Sequence, residues 1–199
     1  MRRIIAIFVA VYLFLTLSAC SRPAGRRDFA YAEGAFTVSL SGTYCPASDS
    51  DGTPRPFAAT VTAGEPTGGD PTLRDLTLIF TAPDALRGST VTAVLSSGPD
   101  TGNTAGRQVT FTYPSDYGEV RAIAKGSEFD GLLRFAEALL PLGDVTYVSP
   151  VAEDGTRTVT RERGSRTVTF RFSEDSIYPT ALRLTDARGT VDCTVRPLP

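Results

Sequence analysis

A mainly β fold of the α+β class, one antiparallel sheet with a single amphipathic helix laid on its apolar face, is what three features of this 199-residue sequence predict. Apolar and polar residues alternate with period two in segment after segment. Turn-forming residues separate those segments at short spacing, which favours hairpins over parallel crossovers. One stretch, residues 127–140, departs from the alternation and carries helical spacing instead.

The strand segments come in chain order. Phe36, Val38 and Leu40 face one way, with Thr37, Ser39 and Ser41 opposite. Leu76, Leu78, Phe80 and Ala82 repeat the pattern, as do Val109, Phe111 and Tyr113. Val168, Phe170 and Phe172 follow, then Leu182 and Leu184, then Val191, Cys193 and Val195. Between them stand Asp49-Ser50-Asp51-Gly52, Pro66-Thr67-Gly68-Gly69-Asp70-Pro71, Gly98-Pro99-Asp100-Thr101-Gly102, Asp154-Gly155, Gly164 and Arg188-Gly189. Threonine is frequent on the polar faces, as a solvated strand surface prefers. In the helical stretch, Phe129, Leu132, Leu133, Ala136, Leu139 and Leu140 form one stripe. Ser127 caps its start, Asp130 completes a weak capping box, and Pro141 ends it. A sheet with one apolar face cannot leave that face in water, and a single helix covers only part of many strands. The remainder must curl, pair with another surface or hold a ligand.

The amino terminus carries an address. Arg2 and Arg3 precede a predominantly apolar run over residues 4–17, shorter than the roughly 20 residues that span a bilayer, and small residues follow at once. This pattern is expected to be a signal peptide, residues 1–19. Leu17-Ser18-Ala19-Cys20 resembles a bacterial lipobox, and that resemblance implies a diacylglycerol on the Cys20 thiol and a mature chain beginning there. Two acyl chains hold a protein to a membrane for long periods where one does not. The expected location is therefore the extracytoplasmic side of the cell membrane, with the lipid as anchor. Residues 20–27 read as a lipidated tether whose Arg22, Arg26 and Arg27 either meet anionic headgroups, at about 1 kcal/mol each, or are simply solvated. Residues 28–199 then form one domain, long enough to bury roughly 70% of its unfolded surface.

Composition excludes more than it assigns. The chain has 20 basic and 22 acidic side chains, and losing Arg2 and Arg3 with the leader makes it slightly more acidic. No basic stripe is present, so nucleic acid is not an expected partner. The absence of histidine removes the commonest general base and zinc ligand together. The single lysine, Lys125, has Ala122 three residues before it, which excludes the S-x-x-K arrangement. Gly98, Gly102 and Gly106 lead into Arg107 with the wrong spacing for a phosphate loop. Asp49 and Asp51 lack the other ligands of a calcium loop, whose first and closing positions are Ala47 and Ala58. The acidic groupings Glu119 with Glu128 and Asp130, Glu153 with Asp154, and Glu174 with Asp175 read as solvated surface, since proximity in sequence does not place two carboxylates across a cleft. No catalytic residue, metal site or cofactor is expected.

Cys45 and Cys193 remain once Cys20 is assigned. Outside the cytoplasm they either form a disulfide, whose long loop is worth about 5 kcal/mol by the chain-entropy argument, or leave Cys193 as a small buried hydrophobe.

Three segments carry a wider resemblance. Residues 76–88 with Thr90-Val91-Thr92, the Phe129-Asp130-Gly131-Leu132-Leu133 stretch, and Tyr178-Pro179-Thr180-Ala181-Leu182-Arg183-Leu184 resemble uncharacterised lipoproteins of clostridial bacteria. Those are similar to the LolA-like superfamily of lipoprotein carriers and LppX-like proteins, and the likeness spans about residues 29–197. It implies an open half-barrel whose apolar concave face is covered by helices and, in several members, carries lipids or lipidated chains. It transfers no catalytic residue. On that footing Leu78, Phe80, Phe111, Leu132, Leu133, Phe170 and Phe172 are the candidate ligand face for a lipid, an acyl chain or another hydrophobic partner. The alternative is a non-enzymatic interaction or sensory module at the envelope with a filled core and a protein partner, as for the regulators of anti-sigma factors that the resemblance also includes.

Overall fold

The computed structural model describes residues 28–48, 52–95, 107–115, 118–123 and 130–199. Among them eleven strands form one sheet in the order β6-β5-β4-β3-β2-β1-β11-β10-β9-β8-β7, and every neighbouring pair is antiparallel. The strands are β1 (Phe36–Pro46), β2 (Arg55–Ala63), β3 (Leu76–Ala82), β4 (Thr90–Leu95), β5 (Arg107–Ser115), β6 (Gly118–Ile123), β7 (Asp144–Val148), β8 (Thr156–Arg163), β9 (Arg166–Ser173), β10 (Pro179–Asp186) and β11 (Gly189–Pro197). Two meanders, β1 to β6 and β7 to β11, are joined where the first strand pairs with the last, Val38 opposite Pro197 through Pro46 opposite Gly189. The ends of the order, β6 and β7, do not pair with each other, so the barrel is open. Among the described residues this is the mainly β architecture with one α-helix that the alternation and the one helically spaced stretch predict.

The period-two residues point where expected. Val38, Leu40, Leu76, Leu78, Phe80, Phe170, Phe172, Leu182, Leu184, Val191, Cys193 and Val195 are all buried in one cluster. Tyr113 keeps the alternation of β5, but its ring stands exposed. The α-helix, α1, runs over Asp130–Glu137 and packs on β3 and β4. Its carboxyl end is earlier than the spacing predicts. Leu139 N–H donates to Ala136 at 3.1 Å and Leu140 N–H to Glu137 at 3.0 Å, a tightened final turn that still carries both leucines into the core. Residues 127–129, with the expected Ser127 cap, lie outside the described residues, as do the leader and tether at 1–27. No helix among the described residues is long and apolar enough to cross a membrane.

One helix does not cover the sheet alone. A 3-10 turn at Ala30–Glu33 lies on the other half of the concave face. Phe29 meets Phe170 and Phe172 edge-on at 5.0 and 5.7 Å, and Tyr31 packs on Phe36 at 5.1 Å and stacks on Tyr178 at 5.2 Å. The Tyr31 hydroxyl donates to the Leu139 carbonyl at 2.5 Å, which ties this turn to the segment after α1. Arg161 closes the same seam by donating to the Leu142 and Gly143 carbonyls while its guanidinium lies 5.0 Å over Phe29.

Asp28 is 1% exposed, and its carboxylate contacts Arg157 at the start of β8. Neither carboxylate oxygen gains a well-directed hydrogen bond, and burial raises the pKa while Arg157 opposes the rise. An acid whose pKa is higher in the fold stabilises most when protonated, below about pH 4, and that contribution is lost as pH rises through its folded value. Asp28→Asn cannot ionise. Its melting temperature relative to wild type is therefore expected to improve between about pH 3.5 and 7; a decline over the same range would make Arg157 the dominant influence.

Candidate functional site

The seven residues expected to face a ligand differ in exposure. Leu78, Phe80, Phe111, Leu133, Phe170 and Phe172 are no more than 7% exposed and belong to the single core cluster. Phe29 covers Phe170 and Phe172, and Phe135 lies 6.4 Å from Phe80. Phe29, at the start of the 3-10 turn, and Phe135 of α1 thus help to cover Phe170, Phe172 and Phe80. Leu132 is the one that borders open space.

That space is a cleft of about 630 Å³ at one end of the half-barrel, lined by Tyr44, Pro46, Ala47, Ser48, Arg55, Gly131, Leu132, Arg134, Phe135, Ala187 and Arg188. Four elements meet there: the end of β1, the start of β2, the first turn of α1 and the β10–β11 hairpin turn. Asp186 builds the turn by accepting the Arg188 backbone N–H at 2.8 Å, and the same oxygen accepts Arg134 Nη1. The Arg188 carbonyl accepts the Ala47 N–H at 2.9 Å and the Tyr44 hydroxyl at 3.1 Å, which joins the turn to β1. Gly131 gives room on the helix side, since a Cβ there would collide with the Arg188 guanidinium.

Arg134 is the centre of the wall. It is 5% exposed, its guanidinium carbon sits 4.9 Å over Tyr44 and 5.5 Å over Phe135, and its Nη2 is buried without a hydrogen-bond acceptor. The helix around it is held from below by Arg166, which donates to the Arg134 carbonyl at 3.1 Å and to Glu137 at 3.2 Å. The lining thus combines aromatic and aliphatic surface with guanidinium groups. Its size falls within the roughly 300–1,000 Å³ usual for small-molecule sites.

Tyr44, Arg55, Arg134 and Arg188 are absent from the sequence-based candidates. Arg188 is visible there only as a turn residue, and Arg134 is a lone basic residue beside an apolar stripe. The acidic pairs do not form a site: Glu153, Asp154, Glu174 and Asp175 are exposed, and Asp154 pairs with Arg171 at 3.0 Å. Asp49, Asp51, Glu128 and Cys20 lie outside the described residues.

Cys45 and Cys193 are free thiols, so of the two alternatives it is the buried free Cys193 that the structure has. Cys193 is opposite Gly42 and Cys45 opposite Thr190, so they stand three residues apart along the β1–β11 ladder. Cys193 alternates with Val191 and Val195 on the core face, whereas Cys45 follows Ser41 and Thr43 on the other. Burial pushes the Cys193 thiol up to about 12, with Asp192 adding to the shift. Its thiolate is therefore scarce at pH 8, and iodoacetamide is expected to label Cys193 only after unfolding, as peptide mapping by mass spectrometry would show. Labelling of the native protein at Cys193 within minutes would contradict this placement.

Comparison with known proteins gives likeness of shape. No family model matches the sequence, and no curated protein matches it. Among solved structures, the chain is similar to an uncharacterized conserved protein from Thermus thermophilus at 12% identity, TM-score 0.44, covering 86% of this chain and 81% of that one. It is similar to a LolA superfamily protein from Nitrosomonas europaea at 12% identity, TM-score 0.36, covering 88% and 94%. A putative outer membrane lipoprotein-sorting protein domain from Vibrio parahaemolyticus matches at 12% identity, TM-score 0.38, covering 83% and 72%.

Proposed function

We propose that this protein is a membrane-anchored, extracytoplasmic, non-enzymatic binding protein whose ligand enters the cleft at the end of the half-barrel and not the concave face. The observation that carries the reading is the contrast between a concave face packed with the protein's own side chains and a cleft of about 630 Å³ left open beside Leu132 and Phe135. Strand direction adds to it. Asp28 sits at the end of the sheet where β8 and β10 begin, and the cleft lies at the end where β10 finishes and β11 starts. Eight residues of β10 separate the two ends, roughly 25 Å at the strand rise. A lipid on Cys20, only a short tether before Asp28, would hold one end at the membrane and present the cleft away from it.

Two measurements test the reading. Cys20→Ser is expected to move the protein from the membrane fraction to the soluble fraction. Leu132→Trp, which fills the cleft from its rim, is expected to abolish retention of small amphiphiles in native mass spectrometry without lowering the melting temperature. Wild-type protein that stays ligand-free at every amphiphile concentration would overturn the cleft reading.

A second reading has its own observation. β7, an edge strand, is exposed along its whole length and presents Val145, Tyr147 and Val148 to solvent. An unprotected edge of that kind accepts a strand from a protein partner. Recovery of one stoichiometric envelope protein by the full chain, lost on Val145→Lys with Tyr147→Lys, would favour it.

A further inference from the structure

We infer that the cleft is an oxyanion site, taking a carboxylate or phosphate carried on an apolar stem. The inference rests on the reading of the cleft as a binding site and adds the chemistry of its ligand. Three guanidinium groups, Arg55, Arg134 and Arg188, line the cleft. Asp186 offsets part of the Arg134 charge through Nη1 but leaves Nη2 buried and without an acceptor. A buried charged donor with no partner costs more than an ordinary lost hydrogen bond, so an oxygen delivered there recovers a deficit built into the fold.

Arg188 supplies the accessible cation. Its backbone is fixed on both sides, by Asp186 at the N–H and by Ala47 and Tyr44 at the carbonyl, while its exposed side chain makes no ion pair among the described residues. The turn is therefore positioned before any ligand arrives, and only the guanidinium remains to be ordered. Planar guanidinium forks match carboxylate and phosphate oxygens in pairs, which an ammonium does not. Tyr44, Leu132 and Phe135 provide the apolar surface for the stem. A neutral stem alone would leave the Arg134 nitrogen unpaired; a free anion alone would leave the aromatic wall wet.

The test uses the full chain in lipid nanodiscs and four soluble probes: hexyl phosphate, hexanoate, hexanol and inorganic phosphate, with affinity read by isothermal titration. Hexyl phosphate and hexanoate are expected to bind at least about tenfold more tightly than hexanol, and to weaken as salt is raised. Arg188→Gln is expected to lower affinity for the two anions by about five- to tenfold and leave hexanol unchanged. Inorganic phosphate binding as tightly as hexyl phosphate would support the oxyanion site and assign it a free anion. Equal binding of hexanol and the anions would overturn the oxyanion inference while leaving the cleft a binding site. Anion binding unchanged in both Arg188→Gln and Arg134→Lys would overturn it as well, by placing the anion elsewhere. Failure of all four probes would overturn the cleft reading itself.

Discussion

Arg74→Met is expected to lower the unfolding free energy by about 3–5 kcal/mol, the range for stripping one partner from a buried charged hydrogen-bond network. The Arg74 side chain is 0% exposed. Its Nε donates to the Pro71 carbonyl at 2.8 Å, its Nη1 to Gly34 at 2.8 Å and Gly64 at 3.3 Å, and its Nη2 to Ala32. The guanidinium also lies 5.6 Å over the Phe36 ring. Methionine matches the stem but donates nothing, so four carbonyls from the β2–β3 loop and the 3-10 turn lose this donor together. Replacing a whole buried ion pair with apolar groups is often neutral, but here the carbonyl partners cannot be removed. Arg74→Lys is expected to fall between the two, since three donors on a point cannot span the fork. The consequence reaches the concave face. Arg74 holds the turn that places Phe29 and Tyr31 over the sheet, so a hydrophobic dye should bind Arg74→Met under native conditions where wild type excludes it. Stability within about 1 kcal/mol of wild type in urea titration would refute the role.

Nothing in the sequence around Arg74 announces this. Thr72-Leu73-Arg74-Asp75 reads as a solvated loop, because the acceptors that bury the arginine lie 10, 40 and 42 residues away. The same distinction runs through the whole molecule. Alternation in β1, β3, β9, β10 and β11 is legible because a half-buried sheet imposes period two on the residues themselves. β2 is harder to read, since Ala59 and Ala63 share its inner face with Phe57 and Val61 and weaken the contrast. β7 is illegible for the opposite reason: it buries no residue and is held by its ladder to β8. Phe29 and Tyr31 cover half of the concave face from a turn too short to have a period. The cleft needs Pro46 opposite Gly189 and Asp186 beside Arg134, contacts between residues 143 and 52 apart that no local pattern encodes. The separation of Cys45 from Cys193 follows only once register has assigned each to a face.

Gly42→Ala is expected to cost at least about 3 kcal/mol, at or beyond the usual range for overpacking, although glycine-to-alanine exchange at an unstrained site commonly stabilises by up to about 1 kcal/mol. Gly42 stands opposite Cys193 where the two meanders join, with its missing side chain on the core face between Leu40 and Tyr44. A Cβ there would lie 2.6 Å from both the Cα and the Cβ of Cys193 and would also strike the Asp192 carbonyl. Because the obstruction is backbone, shortening Cys193 to alanine should restore little, which separates this clash from a side-chain one. Relief requires β1 and β11 to move apart or the sheet to flatten at its centre, and sheet curvature at such positions depends on glycine. Gly64→Ala is the control: its Cβ would meet Asp75 at an ordinary 3.8 Å, and its cost should stay below about 1 kcal/mol. The urea midpoint of Gly42→Ala should fall by about 1 M or more, while that of Gly64→Ala stays near wild type. β1 runs on from Gly42 to Tyr44 and Pro46, so a change in its bend displaces the cleft wall as well. Any Gly42→Ala protein that does fold should therefore bind hexyl phosphate more weakly than wild type, and unaltered stability together with unaltered binding would show that β1 and β11 are not pressed together at this point.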